Sequence, residues 1–361
     1  MTEGYLQLET GETFTGTWIG SEAATSGEVV FNTSMTGYQE MMTDPSYAGQ
    51  ILTFCYPLIG NYGLNQADNE SIKTSLSGVI ISDVCDVPSH YSATKSVSDQ
   101  LKEAGVPGLT GVDTRALVKT IRKHHTVKGV LVKSSSQVTD ELWQQPSTEQ
   151  LVQRVSTQKV QTFSADGAHI VLIDYGYKKS ILDALMEKGC SVSIVPYDYR
   201  FEQIEAMNPD GVIFSNGPGD PMGLVDQLTN IRKVAETYPT LGICFGHQLI
   251  ALAFGARTEK LPYGHRGANH PVKETKTGRV HMTSQNHGYV VASETIDEHA
   301  FDVSFYNIND GTVEGMTHKR LPVQSVQFHP EAHPGPSDTE YVFEAFIQQA
   351  NAAGGSVYAK V

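Results

Sequence analysis

Thr240-Leu241-Gly242-Ile243-Cys244-Phe245-Gly246-His247-Gln248 is the stretch on which the fold turns. Residues 240–244 read as a short apolar strand, and residues 247–254 as a helix closed by Gly255. Glycines stand two positions to either side of the cysteine, as a sharp strand-to-helix turn requires. Such a turn is the geometry of a nucleophile elbow, here with Cys in place of Ser. It lifts the side chain off the sheet, and the helix N-terminus behind it favours the thiolate, the attacking species. An isolated cysteine is more often a small core residue. The flanking glycines and the strand–turn–helix context reverse that weighting.

Upstream of this turn the same alternation repeats. His169-Ile170-Val171-Leu172-Ile173-Asp174 is an apolar strand. Residues 178–188 carry Ile181, Leu182, Leu185 and Met186 at spacings of three and four, one face of a helix, with Gly189 at its C-cap position. A strand over 191–195, a short helix over 201–207, a strand over 211–215 and a long helix over 224–238 follow. Strands apolar on both faces, alternating with helices, imply a doubly wound, mostly parallel sheet.

The first half is less regular. Residues 5–9, 13–19, 28–32, 50–54 and 78–82 read as strands, and 96–104 and 114–123 as helices, giving a mixed α/β domain. The polar stretch 134–167 holds Ser-Ser-Ser and Gln-Gln-Pro-Ser-Thr, with one short helix over 140–145. The expected division is a first domain over 1–150, a linker over 151–167 and a second domain over 168–361.

Composition narrows the function. The chain has 361 residues, about two domains' worth. Charged residues make up 18%, below the usual ~25%, which argues against disorder. A net charge of −14 argues against the broad basic face that nucleic acid or an acidic membrane would need. No apolar run approaches the ~20 residues of a membrane helix, and Met1-Thr2-Glu3-Gly4 shows no signal peptide. The four cysteines are scattered and form no C-x-x-C, which disfavours zinc ribbons and fits a reducing cytoplasm.

A nucleophilic cysteine needs a base. His247 is near in sequence but lies inside the helix that an elbow points its nucleophile away from, so it reads as structural. His329 is better placed. It ends the strand-like run 323–328 and precedes Pro330 and Glu331. The residue before a proline is extended, and positions two apart then share a face, so Glu331 can orient His329. Taken alone, His-Pro-Glu reads rather as a polar turn after a strand, and as a metal site it lacks partner ligands. Ser215-Asn216-Gly217-Pro218-Gly219-Asp220-Pro221 follows the third strand, and its glycines expose N–H groups suited to an oxyanion or carboxylate. No phosphate loop and no Rossmann fingerprint occurs.

Together these motifs resemble the triad-type, class I glutamine amidotransferases, from about His169 to the C-terminus. The first half resembles the small-subunit family of carbamoyl-phosphate synthetase. Its motifs there are Gly27–Gln39 (GEVVFNTSMTGYQ), Thr43-Asp44-Pro45-Ser46-Tyr47, Tyr56-Pro57-Leu58-Ile59-Gly60-Asn61 and Gly111-Val112-Asp113-Thr114-Arg115, and Asn269-His270-Pro271-Val272 in the second half resembles the same family. The resemblance implies that Cys244 attacks the glutamine amide, that His329 serves as acid and base, and that Glu331 orients it. N–H groups of Gly217 and Phe245 would form the oxyanion hole. Ser46, Gly217, Gly219, Phe245, Gln248, Asn286, Gly288 and Tyr289 match positions that hold L-glutamine in that family. Phe245 stands where leucine is common and Tyr289 where phenylalanine is common. No cofactor or metal is implied in this chain; ATP and magnesium would belong to a large synthetase subunit, the implied partner in a heterodimer or higher oligomer. A class I amidotransferase serving a different synthetase is the alternative.

Overall fold

In the computed structural model, which describes residues 2–71 and 73–357, the chain divides into Met1–Pro146 and Ser147–Val361. The first unit is built on a seven-stranded closed barrel. Its strands are β1 (Glu3–Leu8), β2 (Thr13–Gly20), β3 (Thr25–Asn32), β4 (Gln50–Phe54), β6 (Gly78–Ile80), β8 (Pro107–Thr110) and β9 (Lys128–Val132). Around the barrel they run β1-β2-β8-β6-β4-β3-β9. A separate small pair joins β5 (Leu58–Ile59) to β7 (Asp83–Val84). Three helices, α1 (Tyr38–Thr43), α2 (Val97–Glu103) and α3 (Thr114–His124), complete the mixed α/β unit.

The period-2 pattern of the strands sorts the apolar residues into two cores. Leu6, Leu8, Val29, Ile51, Ile80, Leu109 and Leu131 pack with Leu117 and Ile121 of α3. Val30, Leu52 and Val79 pack with Tyr38, Met41 and Met42 of α1 and Leu101 of α2. Every strand and helix expected in this half is found within a few residues. Two further strands carry little sequence signal: β8, four residues that include Pro107 and Gly108, and β9, which follows a helix with little punctuation.

The second unit corrects the expected boundary. Residues 151–167 are not a linker. Helix α4 (Thr148–Val155) opens with a capping box from Ser147 and Gln150 and buries Leu151 and Val152. Strand β10 (Gln161–Phe163) pairs antiparallel with β12 (Ser191–Pro196). The division falls at 146/147. A one-faced helix with two apolar residues and a polar edge strand have the composition of a linker, which is why the stretch read as one.

The remaining strands are β11 (His169–Asp174), β13 (Gly211–Phe214), β14 (Thr240–Ile243), β15 (Thr258–Glu274), β16 (Val280–Val291), β17 (Phe301–Asn307), β18 (Val313–His318) and β19 (Val323–Val326). They form one ten-stranded sheet, β10-β12-β11-β13-β14-β19-β18-β17-β15-β16. β12, β11, β13, β14 and β19 are parallel; β18, β17, β15 and β16 extend the sheet antiparallel. One face packs Ile170, Leu172 and Ile213 on α5 (Lys179–Glu187) and α9 (Tyr341–Val357). The other packs Val171, Ile173, Val212 and Phe214 on α6 (Phe201–Glu205), α7 (Leu228–Thr237) and α8 (Phe245–Ala253). This is the doubly wound sheet expected from the alternation. The long helix expected over 224–238 is broken: Pro221–Gln227 forms a 3-10 segment with non-helical dihedrals at Leu224 before α7 begins. Among the described residues no helix is long and apolar enough to cross a membrane.

Candidate active site

β14 runs into α8 through Cys244, whose φ of 53° and ψ of −100° lie outside the common basins for an L-residue. The turn is pinned on both sides. The Cys244 N–H donates to Val326 O on β19 at 2.8 Å, and the Gly246 N–H donates to Ser215 O after β13 at 3.0 Å. Close approach explains the glycines. A Cβ on Gly246 would lie 2.1 Å from the carbonyl oxygen of Phe214, and one on Gly242 would lie 2.8 Å from that of Gly246. Gly246→Ala therefore forces the helix off the sheet. It is expected to cost about 1–3 kcal/mol, a fall in Tm of about 2–4 °C per kcal/mol, measured by thermal unfolding. An unchanged Tm would show that the turn opens freely.

The chain brings His329 and Glu331 to the same place, beyond the end of β19. The His329 N–H bonds to Ser284 O at 2.9 Å, tying this segment to β16. Its Nδ1 lies 2.6 Å from Glu331 Oε1, as the shared face of an extended His-Pro-Glu predicts. Its Nε2 is buried without a close hydrogen-bond partner. Burial opposes a charge on His329, yet the Glu331 carboxylate and Cys244 outweigh it and raise its proton affinity. Burial likewise disfavours the Glu331 carboxylate, but Lys178 and His329 hold it well below the usual range. Lys178 itself is buried, with Nζ 3.2 Å from Glu331 Oε1 and donating to Ala332 O at 2.5 Å. His329, Glu331 and Lys178 thus form one buried line of alternating charge, with Cys244 among the groups that raise the proton affinity of His329.

His247 takes no part in this line. It is fully buried in α8, its Nδ1 is 2.8 Å from Ser325 Oγ on β19, and burial pushes it down to about 3. The other expected residues divide as follows. Phe245 is the first residue of α8, so its N–H has no partner within the helix. Gly217 packs where a Cβ would meet Tyr175 O at 2.7 Å, and Gly219, at φ 91°, packs on Thr148. Asn286, Gly288 and Tyr289 lie on β16. Cys244 Sγ is 3.7 Å from Asn286 O, and Gln248 Nε2 donates to Tyr289 O at 2.8 Å. Ser46 belongs to the first unit, in a 3-10 turn whose N-cap, Asp44, accepts its N–H at 2.9 Å.

Two residues were missed. Lys178 read only as the start of a helix. Gln327 is fully buried with Nε2 3.6 Å from Cys244 Sγ; its place two residues before His329, on the same face of an extended chain, was the available signal. His265, His287 and Glu314 also converge, with potential ligand atoms within 4.8 Å of one another. They belong to a buried network of hydrogen bonds and opposite charges. Burial opposes a charge on His265, but Asp310, at 2.7 Å, and Glu314 carry it up to about 9. Glu314 is further held by Gln285 and Asn307.

Comparison with known proteins agrees with this geometry. Residues 171–349 match the family described as glutamine amidotransferase class-I, and residues 6–131 match carbamoyl-phosphate synthase small chain, CPSase domain. The chain is 53% identical over 352 residues to the carbamoyl phosphate synthase arginine-specific small chain of Halalkalibacterium halodurans, covering 98% of each chain. The arginine-specific small chain of Bacillus subtilis is 51% identical over 346 residues, 96% of each chain. The pyrimidine-specific small chain of H. halodurans is 47% identical over 346 residues, 95% of this chain and 96% of that one. With matches spanning both units at such identity, the chain belongs to the carbamoyl-phosphate synthase small chain family, its second unit being a class I glutamine amidotransferase domain.

Proposed function

We propose that this chain hydrolyses L-glutamine and hands the ammonia to a large synthetase subunit, which makes carbamoyl phosphate from ammonia, bicarbonate and ATP. The observation that carries the reading is a strained cysteine at a strand–helix elbow beside a histidine fixed by a buried carboxylate. The raised proton affinity of His329 favours a resting imidazolium, the proton that the departing nitrogen needs. The Cys244 thiolate attacks the amide carbon, and the oxyanion is held by the N–H groups of Gly217 and Phe245. Collapse expels nitrogen, which takes the proton of His329 and leaves as ammonia. The thioester remains. His329, now neutral, accepts a proton from water as it attacks, and glutamate leaves with the thiolate restored. Glu331 and Lys178 hold the imidazole throughout.

Ser46, Gly219, Gln248, Asn286, Gly288 and Tyr289 hold glutamine in this reading. ATP and magnesium act on the large subunit, the reaction lies in the cytoplasm, and the product serves arginine or pyrimidine synthesis. The match of residues 6–131 to the small-chain domain favours this over an amidotransferase of the same class feeding a different synthetase.

Ammonia at neutral pH is mostly ammonium, which is no nucleophile, so the reading calls for transfer without release. With the large subunit, ATP, bicarbonate and amide-labelled glutamine, label is expected in carbamoyl phosphate even under excess unlabelled ammonium. Complete dilution of the label by the bulk pool would sink direct transfer.

A further inference from the structure

We infer that Gln327 is the residue that holds the Cys244 sulfur as its thiolate, through an amide relay that begins at the backbone of β16. Beyond β19 the chain stays extended, and alternate residues face opposite ways. Phe328 packs into the core against Phe305, with ring centroids 5.2 Å apart. Gln327 and His329 therefore share the other face, the one that carries Cys244. The Gln327 backbone is anchored by its N–H to Glu314 O at 2.9 Å, and its side chain is sealed from solvent.

The direction of the relay follows from one fixed acceptor. Tyr289 O is a backbone carbonyl and can only accept. The Gln248 atom 2.8 Å from it must therefore be the NH₂ group. The same nitrogen lies 3.0 Å from Gln327, whose facing atom must then be the carbonyl oxygen. That leaves the Gln327 NH₂ pointing at Cys244 Sγ, 3.6 Å away. The amide orientation is set by the chain of bonds and not by choice of rotamer.

The sulfur thus meets two contacts of opposite kind. Asn286 O, at 3.7 Å, can only accept, and so suits the thiol S–H. Gln327 Nε2 can only donate, and so suits the thiolate. The charged groups facing the sulfur are His329 and, behind it, Glu331 and Lys178. His329 supplies the counter-charge, but its proton leaves with ammonia at every turnover. Gln327 is neutral and keeps its donor throughout, so it stabilises the sulfur again when the thioester breaks and the thiolate is the leaving group. Gln248 links this donor to the residue that the proposed function puts beside the substrate.

The inference rests on the proposed role of Cys244, and its test does not need glutamine. Gln327→Met keeps length and volume but removes the donor; Gln327→Leu is a second apolar variant. Iodoacetamide labelling of Cys244, read at its own peptide by mass spectrometry, is followed against pH in the full chain. A hydrogen bond to a charged group is commonly strong enough to matter about tenfold or more. Both variants are expected to label about tenfold or more slowly than the parent near pH 7, with the deficit closing as alkali ionises the thiol. Their glutamine kcat should fall in step with the labelling rate. Equal labelling at all pH values overturns the inference. So does a deficit of the same size at every pH, which is what distorted packing would give. A variant that fails to fold is read through the other one. If the parent hydrolyses no glutamine while the labelling order holds, the proposed function fails and the role of Gln327 stands.

Discussion

Cys244→Ser is expected to abolish glutamine-dependent carbamoyl-phosphate synthesis and to leave ammonia-dependent synthesis by the assembled complex intact. The loss should reach the order of 10⁴ or more, the scale on which removing an enzyme's nucleophile is felt. The size follows from the electrostatics around His329. Glu331 and Lys178 form a buried ion pair at 3.2 Å, and the raised proton affinity of His329 keeps the imidazole protonated. A thiol ionises far more readily than a hydroxyl, so a cysteine can attack as the thiolate beside a protonated imidazole. A serine hydroxyl must lose its proton during attack, and an imidazolium cannot take it. The elbow would still hold the side chain, because its geometry depends on Gly242 and Gly246 and not on sulfur. The measurement is steady-state synthesis by the reconstituted complex with glutamine or with ammonium as nitrogen source. Loss of both activities, with the complex still assembled by gel filtration, would refute the division of labour between the subunits.

How much of this was legible in the sequence varies with the physical signal. The parallel sheet was plain because its strands are apolar on both faces and its helices carry one-sided stripes. The elbow was legible because glycine is demanded twice by backbone contact, at Gly242 and Gly246. His329 and Glu331 were found by local geometry, since proline forces the extended chain that puts them on one face. The antiparallel extension, β15 to β18, was not read at all. β15 and β16 carry His, Lys and Gly among their apolar residues, their register shifts between Lys260 and His265 and between Gly267 and His270, and β17 and β18 shift between Val303 and Phe305, so the alternation is broken. Barrel closure was equally hidden, because it depends on pairing β1 with β9 across most of the first unit. Lys178 and Gln327 escaped for a third reason. Each is a polar residue whose burial is set by tertiary contacts; for Gln327 the one local signal is its spacing of two from His329, and Lys178 has none.

The two histidines nearest the cysteine, one in sequence and one in space, should separate sharply by experiment. His329→Asn is expected to lower glutaminase turnover by ~10² or more, the usual scale for a lost general acid–base. Asparagine keeps a donor near the Nδ1 position, so the Glu331 contact survives and the missing function is proton transfer to the departing nitrogen. The pH dependence follows the same logic. The protonated form of His329 is the one that delivers a proton to ammonia, and its proton affinity is raised. Activity governed by this group is therefore retained through neutral pH and lost on the alkaline side, as the imidazolium deprotonates. In His329→Asn that alkaline limb should disappear from kcat. His247→Asn should behave otherwise. Its ring is neutral, pushed down to about 3 by burial, and is spent on Ser325 Oγ at 2.8 Å beneath the helix. Its replacement removes a buried hydrogen bond, a cost of about 1–3 kcal/mol in stability, and leaves kcat at saturating glutamine within a few-fold of the parent. Kinetics across pH, set beside thermal unfolding of both variants, decide the matter. Similar losses of kcat in the two would mean that α8 does not turn His247 away from the chemistry, and the orientation argued for the elbow would be wrong.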